Sequence, residues 1–112
     1  MAITQVIDER TTAYLQVDFL DKDGAAAVPS TVSYRIDDIT DAGDYAAGTQ
    51  IRAPTSVSPA ASVEITLDAS DTTILSPASS FERRRVTVTA TFGAGDEINS
   101  QYFFIVRNLG GV

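Results

Sequence analysis

The stretch Phe81-Glu82-Arg83-Arg84-Arg85-Val86-Thr87-Val88-Thr89-Ala90-Thr91-Phe92-Gly93-Ala94-Gly95-Asp96, continuing through Glu97-Ile98-Asn99-Ser100-Gln101 to Tyr102-Phe103-Phe104-Ile105-Val106, decides the fold class. In its first half Val86, Val88, Ala90 and Phe92 alternate with Arg85, Thr87, Thr89 and Thr91. A period of two places one set on a buried face and the other in water, the pattern of a strand. Gly93, Gly95 and Asp96 supply residues that tolerate the positive φ of a tight hairpin. The return strand ends in five consecutive apolar residues, Tyr102 to Val106. A strand with one wet face does not need apolar side chains on both faces. Either Tyr102, Phe104 and Val106 enter the core and Phe103 and Ile105 point out, or the phase is reversed. A covering loop, the N-terminal strand or a bulge accounts for the surplus face structurally; a docking face accounts for it functionally.

The same alternation recurs outward from this hairpin. Ala13, Leu15, Val17 and Phe19 form one set within Thr12–Leu20, and Val32, Tyr34 and Ile36 form another within Thr31–Ile39. Val63, Ile65 and Leu67 form a third within Ser62–Asp68. Ile3, Val6 and Ile7 suggest a short first strand, and Thr49–Ala53 a short edge strand followed by a turn at Ser56–Pro59. Asp68–Leu75 has room for one helical turn capped by Ser70 or Asp71. About seven short strands separated by turn signals predict an all-β, immunoglobulin-like antiparallel β-sandwich, with a barrel as the alternative. The 112 residues make one domain, 1–112, with short tails at 1–8 and 108–112.

Composition narrows the chemistry. Histidine and cysteine are both absent, which removes Ser-His-Asp and Cys-His nucleophiles and the usual zinc ligand sets. The net charge of −7, from 15 acids and 8 bases, disfavours nucleic acid and anionic membrane as partners. Met1–Gln5 lacks the basic and apolar regions of a signal peptide. No apolar run approaches the ~20 residues that span a bilayer. These features predict a protein that folds in the cytoplasm and is not an enzyme.

The remaining candidates are carboxylates and one basic cluster. Asp37 and Asp38 are adjacent, so in a strand they face opposite ways and cannot work as a pair. Asp21-Lys22-Asp23-Gly24 begins like a calcium loop but lacks the later acids, so a turn with side-chain-to-backbone hydrogen bonds is the stronger reading. Asp41 and Asp44 could join Asp37 or Asp38 around a hard cation, against the plainer reading of solvated loop charge. No cofactor and no metal site is expected. Arg83, Arg84 and Arg85 are the one basic cluster. Structurally they cover apolar surface with their stems; functionally, with Phe103 and Ile105, they are candidate partner-binding residues.

Several segments carry a resemblance: Val32-Ser33-Tyr34-Arg35-Ile36-Asp37-Asp38, Thr55 to Leu67, Arg84-Arg85-Val86-Thr87-Val88 and Val106-Arg107-Asn108-Leu109. Over residues ~12–109 the chain resembles small immunoglobulin-like accessory virion proteins of tailed bacteriophages and prophages. The resemblance implies a structural role in the virion, assembled in many copies in the host bacterial cytoplasm. It implies partners among capsid, portal, adaptor or tail subunits, with the chain acting as a decoration or as a head–tail or tail connector. It brings no catalytic residues. A carbohydrate- or receptor-binding module is the alternative, with Tyr45 in the 41–48 loop placed to stack on a sugar.

Overall fold

A computed structural model describes residues 5–43, 46–93 and 95–111. Seven strands form: β1 (Val6–Asp8), β2 (Ala13–Asp18), β3 (Thr31–Asp38), β4 (Thr49–Val57), β5 (Ser62–Leu67), β6 (Phe81–Thr91) and β7 (Glu97–Arg107). No helix occurs among the described residues. Five strands make one sheet in the order β1-β7-β6-β3-β4, and β2 and β5 make a second. The core cluster draws on both: Val17, Phe19, Val63, Ile65 and Leu67 from the smaller sheet and its flank meet Val32, Ile36, Val86, Val88, Phe104 and Val106 from the larger. Two sheets around one apolar layer make a β-sandwich.

The alternations predicted the buried faces. Val32, Tyr34 and Ile36, then Val63, Ile65 and Leu67, then Val86, Val88 and Ala90 are all buried. Leu15 and Ala13 are only half-buried, at the edge of the core. The hairpin closes as expected: Phe92 N donates to Asp96 O at 2.8 Å, and Gly95 turns with φ of +85°. Ala94 lies outside the described residues.

Four boundaries differ from expectation. β4 continues through Pro54 to Val57, so Ser56 and Val57 belong to a strand and not to a turn. A missing N–H is tolerated at a sheet edge, and the register breaks between Tyr34 and Ile36, opposite Pro54. No helix forms over Asp68–Leu75; Asp71 N instead donates to Asp68 O at 3.0 Å in a turn, and Asp68 Oδ1 accepts Ser70 N at 3.0 Å. The tails are shorter than expected. β1 pairs with β7 in parallel, the one exception to antiparallel pairing among the described residues, with Val6 opposite Ile105. Asn108 and Leu109 are tied down as well: Asn108 Nδ2 donates to Ser79 O at 2.7 Å, and Leu109 N to Glu9 Oε1 at 2.6 Å.

Candidate partner-binding surfaces

The hairpin register fixes where each candidate side chain goes. Glu82, Arg84, Val86, Val88 and Ala90 face the core, and opposite them on β7 stand Val106, Phe104 and Tyr102. Phe103 and Ile105 therefore lie on the outer face, the first of the two phases. Phe103 is nevertheless buried, and Ile105 is half-buried.

Phe103 has an ionic neighbour on this face. On the outer face Asp37, Arg85 and Phe103 stand side by side across β3, β6 and β7. The Arg85 guanidinium donates to Ala46 O at 2.8 Å and Ala47 O at 3.1 Å, and its charge lies 3.6 Å from Asp37. The segment after β3 is thus drawn over this part of the face. Gly48 completes the fold-over, at φ of +71°, where a Cβ would stand 2.2 Å from Asp38 O. Only glycine allows so close an approach of two backbones.

Arg84 is not a surface residue. It is fully buried on the core face and reaches four acceptors. Nε meets Asp38 Oδ2 at 2.7 Å, Nη1 meets Asp71 O at 2.8 Å, and Nη2 meets Thr73 O at 2.8 Å and Glu82 Oε1 at 2.6 Å. Glu82 in turn accepts Leu75 N and Ser76 N, each at 2.9 Å. The segment that follows β5 is fastened to the end of the sandwich by this cluster. A second clamp joins β4 to the same segment: Arg52 donates to Asp71 Oδ1 and Asp68 Oδ2, each at 2.8 Å. The hydrogen bond it donates to Asp71 is the chief reason the Arg52 guanidinium is held more firmly protonated than usual. Ser70, bonded to the Asp68 carboxylate, holds that carboxyl below its ordinary value.

The partner-binding expectation therefore needs correction. Arg84, Arg85 and Phe103 are buried within the chain: the first carries the ionic cluster, the second is bonded to Ala46 and Ala47, and Phe103 stands beside Arg85 in the sheet. Arg83 and Ile105 remain near the surface, opposite one another, with exposed Val6 next in the row. Sequence reasoning missed the pairing of Arg84 with Asp38 and Glu82. The available signal was an arginine in phase with Val86 and Val88, at an inward position that only a paired charge can occupy.

The acids behave as elements of structure. Asp37 and Asp38 do face opposite ways, toward Arg35 and Arg84 respectively. Asp21 Oδ1 accepts Asp23 N at 2.9 Å and Ala25 N at 3.0 Å, as its turn reading predicts. Among the described residues no three acids gather as metal ligands. Asp44 and Tyr45 lie outside the described residues.

Two further surfaces among the described residues bear on binding. On the outer face, beyond Arg35, stand Thr31, Ser33, Thr87, Thr89, Asn99 and Gln101. Side-chain bonds order part of this field: Thr89 Oγ1 donates across the strands to Asn99 Oδ1 at 2.7 Å, and Asn99 Nδ2 donates along β7 to Glu97 Oε2 at 2.9 Å. The other opening is a groove of about 560 Å³, with Leu20, Phe92 and Ile98 as apolar walls and Asp21, Lys22 and Asp96 at its rim.

The fold and these surfaces define an all-β sandwich with a polar, charge-poor sheet face. The chain matches no protein-family model, no curated protein and no solved structure.

Proposed function

We propose that this protein is a non-enzymatic structural component of a tailed-phage virion. In this reading it binds capsid, portal, adaptor or tail subunits, in many copies, as a decoration or connector assembled in the host cytoplasm. The observation that carries the reading is the outer field of hydroxyl and amide side chains from Thr31 to Gln101. Depletion of charge marks the centre of protein interfaces, and the charges of this field, Arg35 and Glu97, stand at its opposite corners with uncharged side chains between them. Its side-chain bonds order residues before any partner arrives, which reduces the entropy lost on binding. The strand connectivity, in which β2 and β5 face the sheet of β3, β6 and β7, agrees with the immunoglobulin-like resemblance.

The test is incorporation. Particles purified from cells that express the chain with the phage's structural genes are expected to carry it in many copies by quantitative mass spectrometry. Gln101→Arg is expected to reduce incorporation while leaving the circular dichroism spectrum unchanged. Particles that lack the chain, together with binding of purified chain to host-surface polysaccharide, would replace the structural reading with the glycan-binding one.

A further inference from the structure

The hairpin strands run the length of the sandwich. β6 alone covers 11 residues, about 34 Å at the usual rise, in a molecule 47 Å long and 25 × 23 Å across. Phe81 therefore stands at one end, and Phe92, just past the last residue of β6, at the other. Large apolar side chains are exposed at both ends. Leu75, Phe81 and Leu109 are exposed at the first, where Leu75 N donates to Glu82, Asn108 N to Ser80 O and Leu109 N to Glu9. Leu20 is exposed at the second, where with half-buried Phe92 and Ile98 it walls the groove of about 560 Å³. Exposed apolar groups gathered in this way mark interaction sites.

Charge is divided between the ends. Among the described residues, Asp18, Asp21, Asp23, Asp96 and Glu97 lie at the groove end, with Lys22 as the one base beside them. Every arginine lies in mid-sheet or toward the Phe81 end; Arg35, opposite Thr87, is the nearest to the groove. Acids share that end too, and Asp38, Asp71 and Glu82 are bonded to its arginines. Arg107 stands directly across from Phe81, and Arg83 follows two residues along the same face. Arg107 is exposed, and its bridge to Asp8 is of the surface kind that contributes little. The two ends are thus unlike. One carries an exposed aromatic ring beside arginines, and the other an apolar groove with carboxylates at its rim.

We propose that copies of this chain join head to tail, the Phe81 end of one copy seating in the Leu20–Phe92–Ile98 groove of the next, with Arg83 and Arg107 facing Asp21 and Asp96. Like ends pair less well: two groove ends bring carboxylates against carboxylates, and two Phe81 ends leave both grooves unfilled. The net charge of −7 repels copies in general, but screening confines that effect to about 8 Å at physiological salt, so the charges at the seam decide the orientation. Each copy offers one patch to one neighbour and the other patch to the next. Such a heterologous contact continues as a rod or closes as a ring. The 25 × 23 Å cross-section is too small to bury the ~800 Å² per partner of a standard interface. The contact is therefore weak between free copies and takes effect where many are held close together. The proposal goes beyond the virion reading and does not rest on it, since purified chain alone tests it.

Sedimentation velocity and small-angle X-ray scattering of the purified full chain, from about 0.05 to 3 mM, read the association. The mean mass is expected to pass that of a dimer, with the scattering of an elongated particle. Phe81→Glu spoils the projecting end and Leu20→Glu the groove; both residues are exposed, so the circular dichroism spectra should be unchanged. Each variant alone is expected to stay monomeric. An equal mixture of the two is expected to form dimers and nothing larger, because one intact seam remains per pair. Asp21→Lys combined with Asp96→Lys makes the chain less negative, which by general repulsion alone would tighten association; here it is expected to weaken it at least about tenfold. A wild-type chain that is monomeric throughout overturns the proposal, as does association that stops at a symmetric dimer. So does wild-type association by either single variant, a mixture that stays monomeric, or tighter association of the lysine variant. Nuclear Overhauser contacts from Leu20 and Ile98 to Met1–Thr4 within a monomer would assign the groove to the chain's own first residues and overturn it likewise.

Discussion

Replacing Arg84 by methionine should be the most damaging single change away from the apolar core. The guanidinium has no exposed surface and makes four hydrogen bonds, two of them to the carboxylates of Asp38 and Glu82. Counted one by one at about 1.5–3 kcal/mol for a bond to a charged group, those contacts would suggest a large stabilisation. That sum ignores the several kcal/mol needed to bring each ion out of water, so the net worth of the whole cluster is far smaller. Removing only the arginine is a different operation. It strands two nearly buried carboxylates, with 10% and 4% side-chain exposure, and two carbonyls. Breaking a buried pair this way costs about 3–5 kcal/mol. A domain of this size has roughly 5–15 kcal/mol in total, and at about 4 °C per kcal/mol the midpoint should fall by about 12–20 °C. Urea unfolding followed by circular dichroism measures the energy. Amide exchange at Leu75 and Ser76, which bond to Glu82, supplies a local readout and should accelerate. The triple variant Asp38→Asn, Glu82→Gln, Arg84→Met removes the stranded charges and should recover part of the loss. Arg107→Met, which breaks an exposed pair with Asp8 at 2.7 Å, should cost no more than about 1 kcal/mol. A loss under about 1 kcal/mol for Arg84→Met, or a triple variant no better than the single, would refute the stranded-charge reasoning.

Three further outcomes follow from the geometry. Phe103→Ala should cost about 3–5 kcal/mol, as a buried aromatic does, and Ile105→Ala about 1–2 kcal/mol because it is half-buried; equal small losses in chemical denaturation would contradict the burial of Phe103. Gly48→Ala should destabilise by more than about 1 kcal/mol, since it combines a positive φ with a backbone clash, and exchange at the amides of 46–48 should rise with it; a neutral result would show the fold-over to be loose. Burial raises the Tyr34 phenol above its ordinary value, with Arg52 opposing. A group whose pKa is higher folded than unfolded contributes stability below the unfolded value, about 10, and loses it as the pH rises further. Stability should therefore decline above about pH 10 in the wild type and less steeply in Tyr34→Phe; tyrosinate absorbance should show one phenol titrating late.

The faces of the strands were legible because alternation is a local property. Val63, Ile65 and Leu67 need only their own spacing to declare an inward side. The partner of a strand is not local, so the parallel contact of β1 with β7 could not be read from Val6 and Ile7 alone. Arg84 shows the same limit in side chains. Its inward phase is visible in sequence, but its acceptors come from Asp38, 46 residues away, and from the 71–73 segment. The five apolar residues from Tyr102 to Val106 correctly signalled a second covered face. Phe103 is buried beside Arg85, which holds a stretch of loop, and nothing in the apolar run itself distinguishes burial within the chain from burial by a foreign subunit. The edge strand at Thr49–Ala53 falls short in the opposite direction: an edge position tolerates Pro54, and β4 runs on to Val57.

The parallel contact of β1 with β7 has a mechanical consequence. A pull on the two ends of the chain drags β1 toward its start and β7 toward its finish, in opposite directions along parallel neighbours. The link from Ile105 N to Gln5 O, the link from Glu9 N to Arg107 O, each 2.9 Å, and the Asp8–Arg107 pair then bear the load together instead of opening in turn. A short strand of three residues acts as a shear latch, and tension carried through this domain meets its resistance first at that seam.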